Sequence, residues 1–373
     1  MYIKGIGMTK FEASDKPSYV LAYEAAIEAL KDADIPFSKI DAVVTASLEW
    51  FFSVEKQRHF PAMMSSMFRT HKPIISVPAG CAGGGHALWV ANQLGYDNVL
   101  VLGVEKLMTC KSESITDEFT MALESKWEQL EGLTAPGSAA LLAGHYFNRF
   151  PIANTDDLAL IAYKNHLNGA LNPKARFFGK KVSLDDIKNS KIACSPLRVM
   201  DCSISVDGAA ACVITKDKTE VKIAGSGLCT DRIAPFESKD LTTWEATSVS
   251  SAEAYKQAGI SPSDIDFAEL HDAFTIVELI SYEDLGFVPK GSGVKMIRDG
   301  TVLLDGKLPI NPSGGLKAKG HPPSATGLSQ IYSLTQQIRR EAGDLQVKNS
   351  KIGLAHNIGG VGGTVTCHIL KKV

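Results

Sequence analysis

Apolar and polar positions along this chain follow two periods, one typical of helices and one typical of strands. Residues 28–41 combine an amphipathic helical pattern with a short turn and lead into an apolar strand at residues 42–45. Residues 253–266 repeat that order 225 positions later and lead into a strand at residues 267–270. Eight of the fourteen aligned residues are identical, so the pattern predicts a duplicated unit.

A second pair of segments extends the repeat. Residues 77–80 enter a glycine-rich turn and a helix before an apolar strand at 98–103, and residues 311–314 do the same before a strand at 351–355. Strands that alternate with helices predict an α/β fold with helices on the faces of a sheet. Two such halves, packed together, would bring the carboxyl ends of equivalent strands into one crevice, where α/β proteins bind ligands.

The predicted organisation is an N-terminal half over residues 1–215 and a C-terminal half over residues 216–373. Residues 108–197 have no counterpart in the second half, and their helical patterns indicate an inserted loop domain. The first half resumes with a strand of small residues at 205–214. We expect the insertion to lie over the first half.

Composition excludes several classes of function. The 373 residues carry 39 Lys and Arg against 41 Asp and Glu, a net charge of −2, which leaves no electrostatic footprint for nucleic acid or an anionic membrane. Hydrophobic residues at 45% and charged residues at 21% are typical of a folded protein rather than a disordered one. No run of about eighteen apolar residues occurs, so we expect no membrane span.

Cysteine usage and the start of the chain indicate the compartment. The seven cysteines form no C-x-x-C pair, which favours reduced thiols in the cytoplasm over disulfides or a zinc site. Residues 1–7 are typical of a short strand, and we expect no signal peptide. Neither an H-E-x-x-H motif nor a P-loop is present, so metal and nucleotide-hydrolysis functions lose their usual support.

Cys81 lies at the tip of the first glycine-rich turn, between a predicted buried strand at 74–77 and a helix to about residue 94 that Gly95 ends. The positive end of the helix dipole would lower the pKa of its thiol, and the flanking glycines would expose backbone N–H groups to a ligand oxygen. The pattern indicates a nucleophile beside an oxyanion hole. A structural cysteine beside a tight turn is the alternative.

Two histidines occupy comparable places in the second half. His271 ends the repeated strand, where it could polarise a carbonyl or move a proton, or simply be a core histidine. His321 stands between Gly320 and Pro322 on a rigid loop before a predicted helix at 326–341. That setting suits a general base, with a surface-loop histidine as the alternative.

A fourth site covers residues 355–364, where a strand opens into four glycines before the last strand. It contains His356, Asn357, Gly359 and Gly360. Backbone of this kind offers N–H groups to an anion or to a thioester oxygen.

Together the four sites resemble the thiolase family, in particular its sterol-carrier-protein-type and archaeal branch, over essentially the whole chain. Cys81 matches the acylated nucleophile of that family. His-Asp-Ala-Phe at 271–274 is similar to the branch's H-D-C-F motif, and residues 320–327 resemble G-H-P-x-G-A-T-G. Residues 171–175 and 196–198 resemble the branch's insertion.

The resemblance implies a duplicated five-layered α/β fold in a homodimer or homotetramer, acting on coenzyme A thioesters without a permanently bound cofactor or metal. It implies ping-pong acyl transfer in which His321 deprotonates Cys81 and an acyl-cysteine forms. His271 and His321 would hold the enolate oxygen, and the N–H groups of Cys81 and Gly359 would hold the other oxyanion. Asn357 and Gly360 are further substrate-binding candidates, and the insertion is expected to shape the acyl pocket.

Three positions depart from the family pattern. Asn357 stands where conventional thiolases carry the second cysteine that moves the α-proton, and Ala273 replaces the cysteine of H-D-C-F. Ser324 replaces a motif glycine, which we expect to tighten that loop. The candidates that remain for the α-proton base are His356, His271 and Cys81 itself after it transfers its acyl group.

The leading hypothesis is an acetyl-CoA C-acyltransferase that makes or cleaves acetoacetyl-CoA. The archaeal resemblance implies association with HMG-CoA synthase through a small OB-fold bridging protein, as in the mevalonate pathway. The alternatives are cleavage of larger 3-ketoacyl-CoA, retro-aldol cleavage of a side-chain acyl-CoA, and a non-catalytic acyl-CoA-binding scaffold. Retention of both Cys81 and His321 favours thiolysis or condensation over retro-aldol chemistry.

Overall fold

The computed structural model describes residues 1–48, 55–109 and 111–373; Cys110, one of the seven cysteines, lies outside them. The described strands are β1 Tyr2–Met8, β2 Ala42–Ala46, β3 Ile74–Ser76, β4 Asn98–Glu105, β5 Ile192–Cys194, β6 Leu197–Arg198, β7 Gly208–Thr215, β8 Val221–Thr230, β9 Phe267–Glu269, β10 Ile352–Gly359 and β11 Thr364–Lys372. The described α-helices are α1 Ser18–Asp32, α2 Phe60–Phe68, α3 Gly83–Gln93, α4 Ser112–Thr120, α5 Ala135–Arg149, α6 Thr155–Leu171, α7 Leu184–Lys188, α8 Glu245–Ala258, α9 Thr275–Asp284, α10 Gly293–Arg298, α11 Gly315–Lys319 and α12 Pro323–Arg339.

The main sheet confirms the duplication predicted from the sequence. In the described residues it contains nine strands in the order β3-β2-β4-β7-β1-β8-β11-β10-β9. In the first half α1, a 3₁₀ turn at Phe37–Lys39 and β2 follow β1, and in the second half α8, a 3₁₀ turn at Pro262–Asp264 and β9 follow β8. The strand order is therefore mirrored about the contact between β1 and β8, where the two halves join.

Helices form three layers around the two half-sheets, which gives the expected five-layered arrangement. Helices α3 and α12 pack against each other in the middle, and both contact strands of each half. Helix α1 covers the outer face of the first half and α8 that of the second. A Cβ on Gly84 would lie 2.8 Å from the backbone nitrogen of Leu328, so glycine permits the close approach of the two central helices.

The insertion does not lie where we expected it from the sequence. Helices α5 and α6 pack on α9, α10 and α11, which belong to the second half. Their apolar side chains, including Tyr146, Leu158 and Ile161, join a core cluster with Leu279 and Tyr282. The expectation that the insertion lies over the first half is wrong, because its apolar face is buried by the second half.

One strand is less buried than predicted. Residues 74–77 were expected to form a buried strand, but β3 covers Ile74–Ser76 and all three residues are half-buried. β3 ends the sheet and pairs only with β2 in the described part of the chain, so one side of it has no strand to cover it. Among the described helices, none combines the length and the apolar character that crossing a membrane requires.

Candidate active site

A cavity of about 1090 Å³ brings Cys81, His271, His321 and Gly360 together. Each follows or precedes a regular element of the central layers: Cys81 follows β3, His271 follows β9, Gly360 follows β10, and His321 precedes α12. Three of the four therefore lie at the carboxyl ends of strands, as the crevice of an α/β fold requires. The predicted residues come from both halves and from positions up to 279 residues apart.

Cys81 sits in a 3₁₀ turn, Gly80–Ala82, directly before α3. Burial raises the pKa of its thiol to about 12, although hydrogen bonds from the N–H of Gly360 and from its own N–H favour the thiolate. The expectation of a lowered pKa is wrong, because desolvation raises the pKa of this thiol. The resting group is a neutral thiol, so a base must take its proton as it attacks a carbonyl.

The hydrogen bonds of Asn357 fix the tautomer of His271. The Asn357 amide oxygen accepts the N–H of Gly85 at 3.3 Å, and its amide nitrogen donates to the carbonyl of Cys81 at 3.0 Å. These backbone partners settle which way the amide points. The same Nδ2 lies 3.1 Å from Nδ1 of His271 and donates to it. Neutral His271 therefore carries its proton on Nε2, where it is a hydrogen-bond donor.

His321 has the opposite tautomer. Its Nδ1 lies 2.7 Å from the hydroxyl of Thr326, and that hydroxyl donates its own proton to the carbonyl of Pro322 at 3.0 Å. The hydroxyl oxygen must then accept from His321, so Nδ1 carries the ring proton and Nε2 is a free lone pair. Burial lowers the pKa of His321 to about 3, which keeps the ring neutral and able to accept a proton.

The two rings meet inside the cavity. Their centroids are 5.3 Å apart and the ring planes are at 88°. Burial, together with the neighbouring His321 and His356, lowers the pKa of His271 well below its ordinary value. The site thus holds one neutral imidazole that donates through Nε2 and one that accepts through Nε2.

A buried polar network holds the two histidine loops in register. Asp272, next to His271, accepts the backbone N–H of Leu316 at 2.6 Å and that of Lys317 at 3.2 Å, both in the helix that precedes His321. Asn165, on α6, donates to Asp272 at 2.8 Å. Desolvation and the charge of Glu278 raise the pKa of Asp272 to about 7. The insertion therefore contributes, through Asn165, a buried hydrogen bond to the aspartate next to His271.

The glycine-rich turn after β10 packs on the turn that carries Cys81. A Cβ on Gly359 would lie 2.7 Å from the carbonyl oxygen of Ala79, so only glycine allows this approach. Gly360 adopts φ +60° and lines the cavity, whereas Gly359 is outside the lining residues. Ser324, which replaces a motif glycine, places its hydroxyl 3.5 Å from the carbonyl of Gly80 and so links the His321 segment to the same turn.

His356 lies away from these groups. Its side chain is fully buried, and Nε2 is 3.0 Å from the hydroxyl of Thr247 on α8. Asn357, the next residue on β10, points to the opposite face and contacts Cys81 and His271, because successive side chains of a strand alternate. Of the three candidates for the α-proton base, the cavity is lined by His271 and Cys81 but not by His356.

Two residues near the reactive groups were missed by the sequence analysis. Thr326 orients His321 and stands five residues after it at the start of α12, a position whose role depends on the helix geometry. Cys202 lines the cavity beside the two histidine loops. Its position between Asp201 and Ser203 gave no signal, because its partner in space, Phe274, is distant in sequence.

The walls of the cavity are mostly apolar, and many of the lining residues belong to the insertion. Phe119, on α4, stacks towards His321 with ring centroids 6.4 Å apart. Further apolar lining residues are Ile115, Leu123, Trp127, Leu133, Leu142, Phe236, Leu241 and Trp244. The described residues contain no group of three or more His, Cys, Asp or Glu side chains placed to hold a metal ion.

The sequence matches a known protein family and several curated proteins. Residues 227–372 match the family described as thiolase C-terminal domain-like. The chain is 36% identical over 385 residues to an acetyl-CoA acetyltransferase of Methanothermobacter thermautotrophicus, covering 99% of this chain and 98% of that protein. It is 35% identical over 402 residues to sterol carrier protein 2 of Bos taurus, covering all of this chain and 72% of that protein.

A solved structure, the Ltp2-ChsH2(DUF35) aldolase, has the same fold. Its TM-score is 0.85 at 24% identity, over 100% of this chain and 97% of that chain. The curated relatives are similar in sequence over nearly the whole chain, which shows the family as well as the fold. The chain belongs to the thiolase family. It is an acyltransferase of that family.

Proposed function

We propose that this enzyme transfers an acyl group between coenzyme A thioesters through an acyl-Cys81 intermediate, and that it makes or cleaves acetoacetyl-CoA. The observation that carries the proposal is the cavity in which Cys81 meets one imidazole that accepts and one that donates a hydrogen bond. A nucleophile, a base and an oxyanion donor are the groups that acyl transfer to a thiol requires.

In the first half-reaction, Nε2 of His321 accepts the proton of the Cys81 thiol as sulfur attacks the thioester carbonyl. The N–H groups of Gly360 and Cys81, which already point at the sulfur, stabilise developing negative charge beside it. Coenzyme A leaves with the proton returned by His321. The acyl group then remains on Cys81.

In the second half-reaction, another thioester enters and loses a proton from its α-carbon. The Nε2–H group of His271 donates to the enolate oxygen, and the α-carbon bonds to the acyl carbon as the bond from that carbon to the Cys81 sulfur breaks. Thiolysis runs these steps in reverse. Asn357 takes part indirectly, because its amide keeps the proton of His271 on Nε2.

The cavity supports a second candidate, cleavage of larger 3-ketoacyl-CoA. Its volume of about 1090 Å³ is just above the usual range of small-molecule sites, and its walls are rich in aromatic and aliphatic side chains. Trp127 and Phe236 remain largely exposed in the lining. Arg232, an exposed cation in the same lining, can contact a coenzyme A phosphate.

We further propose a homodimer or homotetramer in the cytoplasm that uses acyl-CoA and coenzyme A and works with HMG-CoA synthase through an OB-fold bridging protein. The six described cysteines are all free, which supports a reducing compartment. The name of the Ltp2-ChsH2(DUF35) aldolase couples a protein of this fold to a second one, which supports a protein partner here.

Steady-state thiolysis tests the proposal. Purified protein is given coenzyme A with acetoacetyl-CoA or with 3-oxoacyl-CoA of increasing chain length. We expect turnover of at least one substrate and a loss of at least about 10³-fold in Cys81→Ala, since the nucleophile is gone. Cys229→Ser, which changes a cysteine outside the cavity, serves as control. Turnover that survives in Cys81→Ala would refute the proposal.

A further inference from the structure

The proposed reaction removes two different protons, and the histidines account for one of them. His321 takes the proton of the Cys81 sulfur. His271 presents Nε2–H and accepts from Asn357 through Nδ1, so it has no free lone pair for a carbon-bound proton. His356 is turned towards Thr247, outside the cavity. The sulfur of Cys81 carries the acyl group when the second thioester loses its α-proton, so it cannot accept that proton. Another group in the lining must accept it.

Cys202 lies between the two histidine loops. It begins a short extended segment, residues 202–205, that lines the cavity. The N–H of Ser203 donates to the carbonyl of Ala273 at 2.8 Å, two residues after His271. The N–H of His321 donates to the carbonyl of Ile204 at 2.8 Å. Backbone hydrogen bonds therefore hold the segment that contains Cys202 next to both histidine loops.

The side chain of Cys202 projects towards the cavity face of this wall. Cys202 is paired with Phe274 in an antiparallel bridge, and residues opposite each other in such a pair direct their side chains to the same face. Phe274 also lines the cavity. The Cys202 Sγ lies 3.5 Å from the carbonyl of Arg198, a weak contact that leaves the thiol free to turn.

A buried cation accompanies this thiol. Nζ of Lys317, whose side chain is buried, donates to the backbone carbonyl of Cys202. Burial raises the pKa of the Cys202 thiol to about 11, and the positive charge of Lys317 opposes that rise. Burial lowers the pKa of Lys317 to about 8, so a minor fraction of its side chain is a neutral amine near pH 7 and can take a proton from the thiol. Transfer of the thiol proton to that amine gives an ammonium and a thiolate as a minor form, because the pKa of the thiol is the higher of the two.

The remaining titratable lining residues are less suited. Glu131 is exposed, and the carboxylate of Glu128 accepts the backbone N–H of Glu124 at 2.8 Å. The carboxylate of Asp231 accepts the backbone N–H of Arg232 at 2.8 Å. These three are on the insertion and on the loop after β8, whereas Cys202 is hydrogen-bonded through its segment to both histidine loops.

We propose that Cys202 is the catalytic residue that takes up and returns the α-proton. Its thiolate, formed when the neutral amine of Lys317 takes the thiol proton, accepts the proton from the α-carbon, and the electron pair of the C–H bond becomes the enolate. The α-carbon bonds to the acyl carbon as the bond to Cys81 Sγ breaks. Cys202 then passes its proton to the Cys81 thiolate, and Lys317 returns the first proton to Cys202. In thiolysis, the Cys202 thiol protonates the enolate released by cleavage of the carbon–carbon bond.

The inference rests on the proposed function, and its test separates the two half-reactions. Cys202→Ser keeps the size and the hydrogen bond to Arg198 but removes an acidic thiol. We expect acylation of Cys81 by acetyl-CoA, measured by peptide mass spectrometry, to stay within about threefold of wild type. Thiolysis and exchange of the α-hydrogens of acetyl-CoA with D₂O should fall by about 100-fold or more. Cys194→Ser, a half-buried cysteine outside the cavity, should behave like wild type.

Two outcomes would overturn the assignment. If Cys202→Ser retains thiolysis and exchange within about threefold of wild type, another group carries the α-proton. If it loses Cys81 acylation to the same degree as turnover, Cys202 supports the fold of the site instead of the second step. A wild-type protein that forms no acyl-Cys81 with short or long acyl-CoA would refute the proposed function itself.

Discussion

His271 and His321 have opposite hydrogen-bonding roles, and in each ring one hydrogen bond at Nδ1 decides the role. Nδ1 of His271 accepts from an amide whose direction two backbone groups fix, and Nδ1 of His321 donates to a hydroxyl whose proton is already used. The free nitrogen of the first ring is a donor and that of the second is an acceptor. The chemistry of the site is therefore decided by Asn357 and Thr326 as well as by the histidines.

Thr326 gives a matched test of this account at the level of one residue. Thr326→Val keeps the β-branched shape but removes the oxygen that accepts from His321, so the ring can carry its proton on Nε2 and lose its basic lone pair. We expect kcat for thiolysis to fall by about 10-fold to 100-fold, as for loss of one hydrogen bond to a catalytic group. Thr326→Ser retains the hydroxyl and should stay close to wild type.

The KM should change little in both Thr326 variants, because Thr326 is outside the residues that line the cavity. Equal loss in Thr326→Val and Thr326→Ser would contradict the tautomer assignment and point to packing of α12 instead. Unfolding midpoints of the two variants, measured alongside, show whether a change in stability accompanies the change in rate.

The sequence predicted which residues form the site more easily than it predicted their protonation states. Cys81, His271 and His321 stand out because glycine-rich motifs surround them, and the structure brings them into one cavity. The protonation of Cys81 could not be predicted, because the helix dipole is visible in a sequence but the burial that overrides it is not. Cys202 was missed because its neighbours in space come from two distant loops.

At the scale of elements, the side chains of His356 and Asn357 point to opposite faces of β10 and so have different surroundings. Asn357 faces the central helices and the site, whereas His356 faces α8, where Thr247 contacts its Nε2. Nδ1 of His356 has no hydrogen-bond partner in the described part of the chain. A proton added there would place a buried charge with nothing to compensate it.

The pH dependence of stability tests this placement. Burial lowers the pKa of His356 to about 3 from 6.5. A group with a lowered pKa contributes stability that is present above 6.5 and is lost as the pH falls towards 3, because the unfolded chain then binds the extra proton. Relative to His356→Gln, wild type should lose about 2 kcal/mol between pH 7 and pH 4.5, measured by urea unfolding.

The comparison with His356→Gln is needed because buried acids act in the opposite direction. Burial raises the pKa of Glu105 to about 8 and that of Asp284 to about 6, so their contributions are present at low pH and lost as the pH rises. The difference between the two proteins cancels these terms. His59→Gln, which removes an exposed imidazole, is the control. A wild-type minus variant difference that stays constant with pH would contradict the burial of His356.

On the scale of the whole molecule, internal repetition was the most informative feature of the sequence. The match between residues 28–41 and 253–266 predicted two equivalent units, and the mirrored strand order confirms them. The place of the insertion was not predictable in the same way. An amphipathic helix shows that one face is buried, but its sequence does not identify which half covers that face. Here α9, α10 and α11 cover it.

The insertion also connects the architecture with the chemistry. Its helices line one wall of the cavity, while Asn165 on α6 reaches the aspartate beside His271. The nucleophile comes from the first half and both cavity histidines come from the second. The site therefore forms only when the two halves and the insertion have packed together.

The most direct test of the central claim is to trap the acyl group. The protein is incubated with acetyl-CoA, and separately with a longer acyl-CoA, quenched in acid and mapped by peptide mass spectrometry. We predict one acyl group on the peptide that contains Cys81, in wild type and not in Cys81→Ser. Acylation at another cysteine, or unmodified Cys81 with every acyl-CoA tried, would contradict the account.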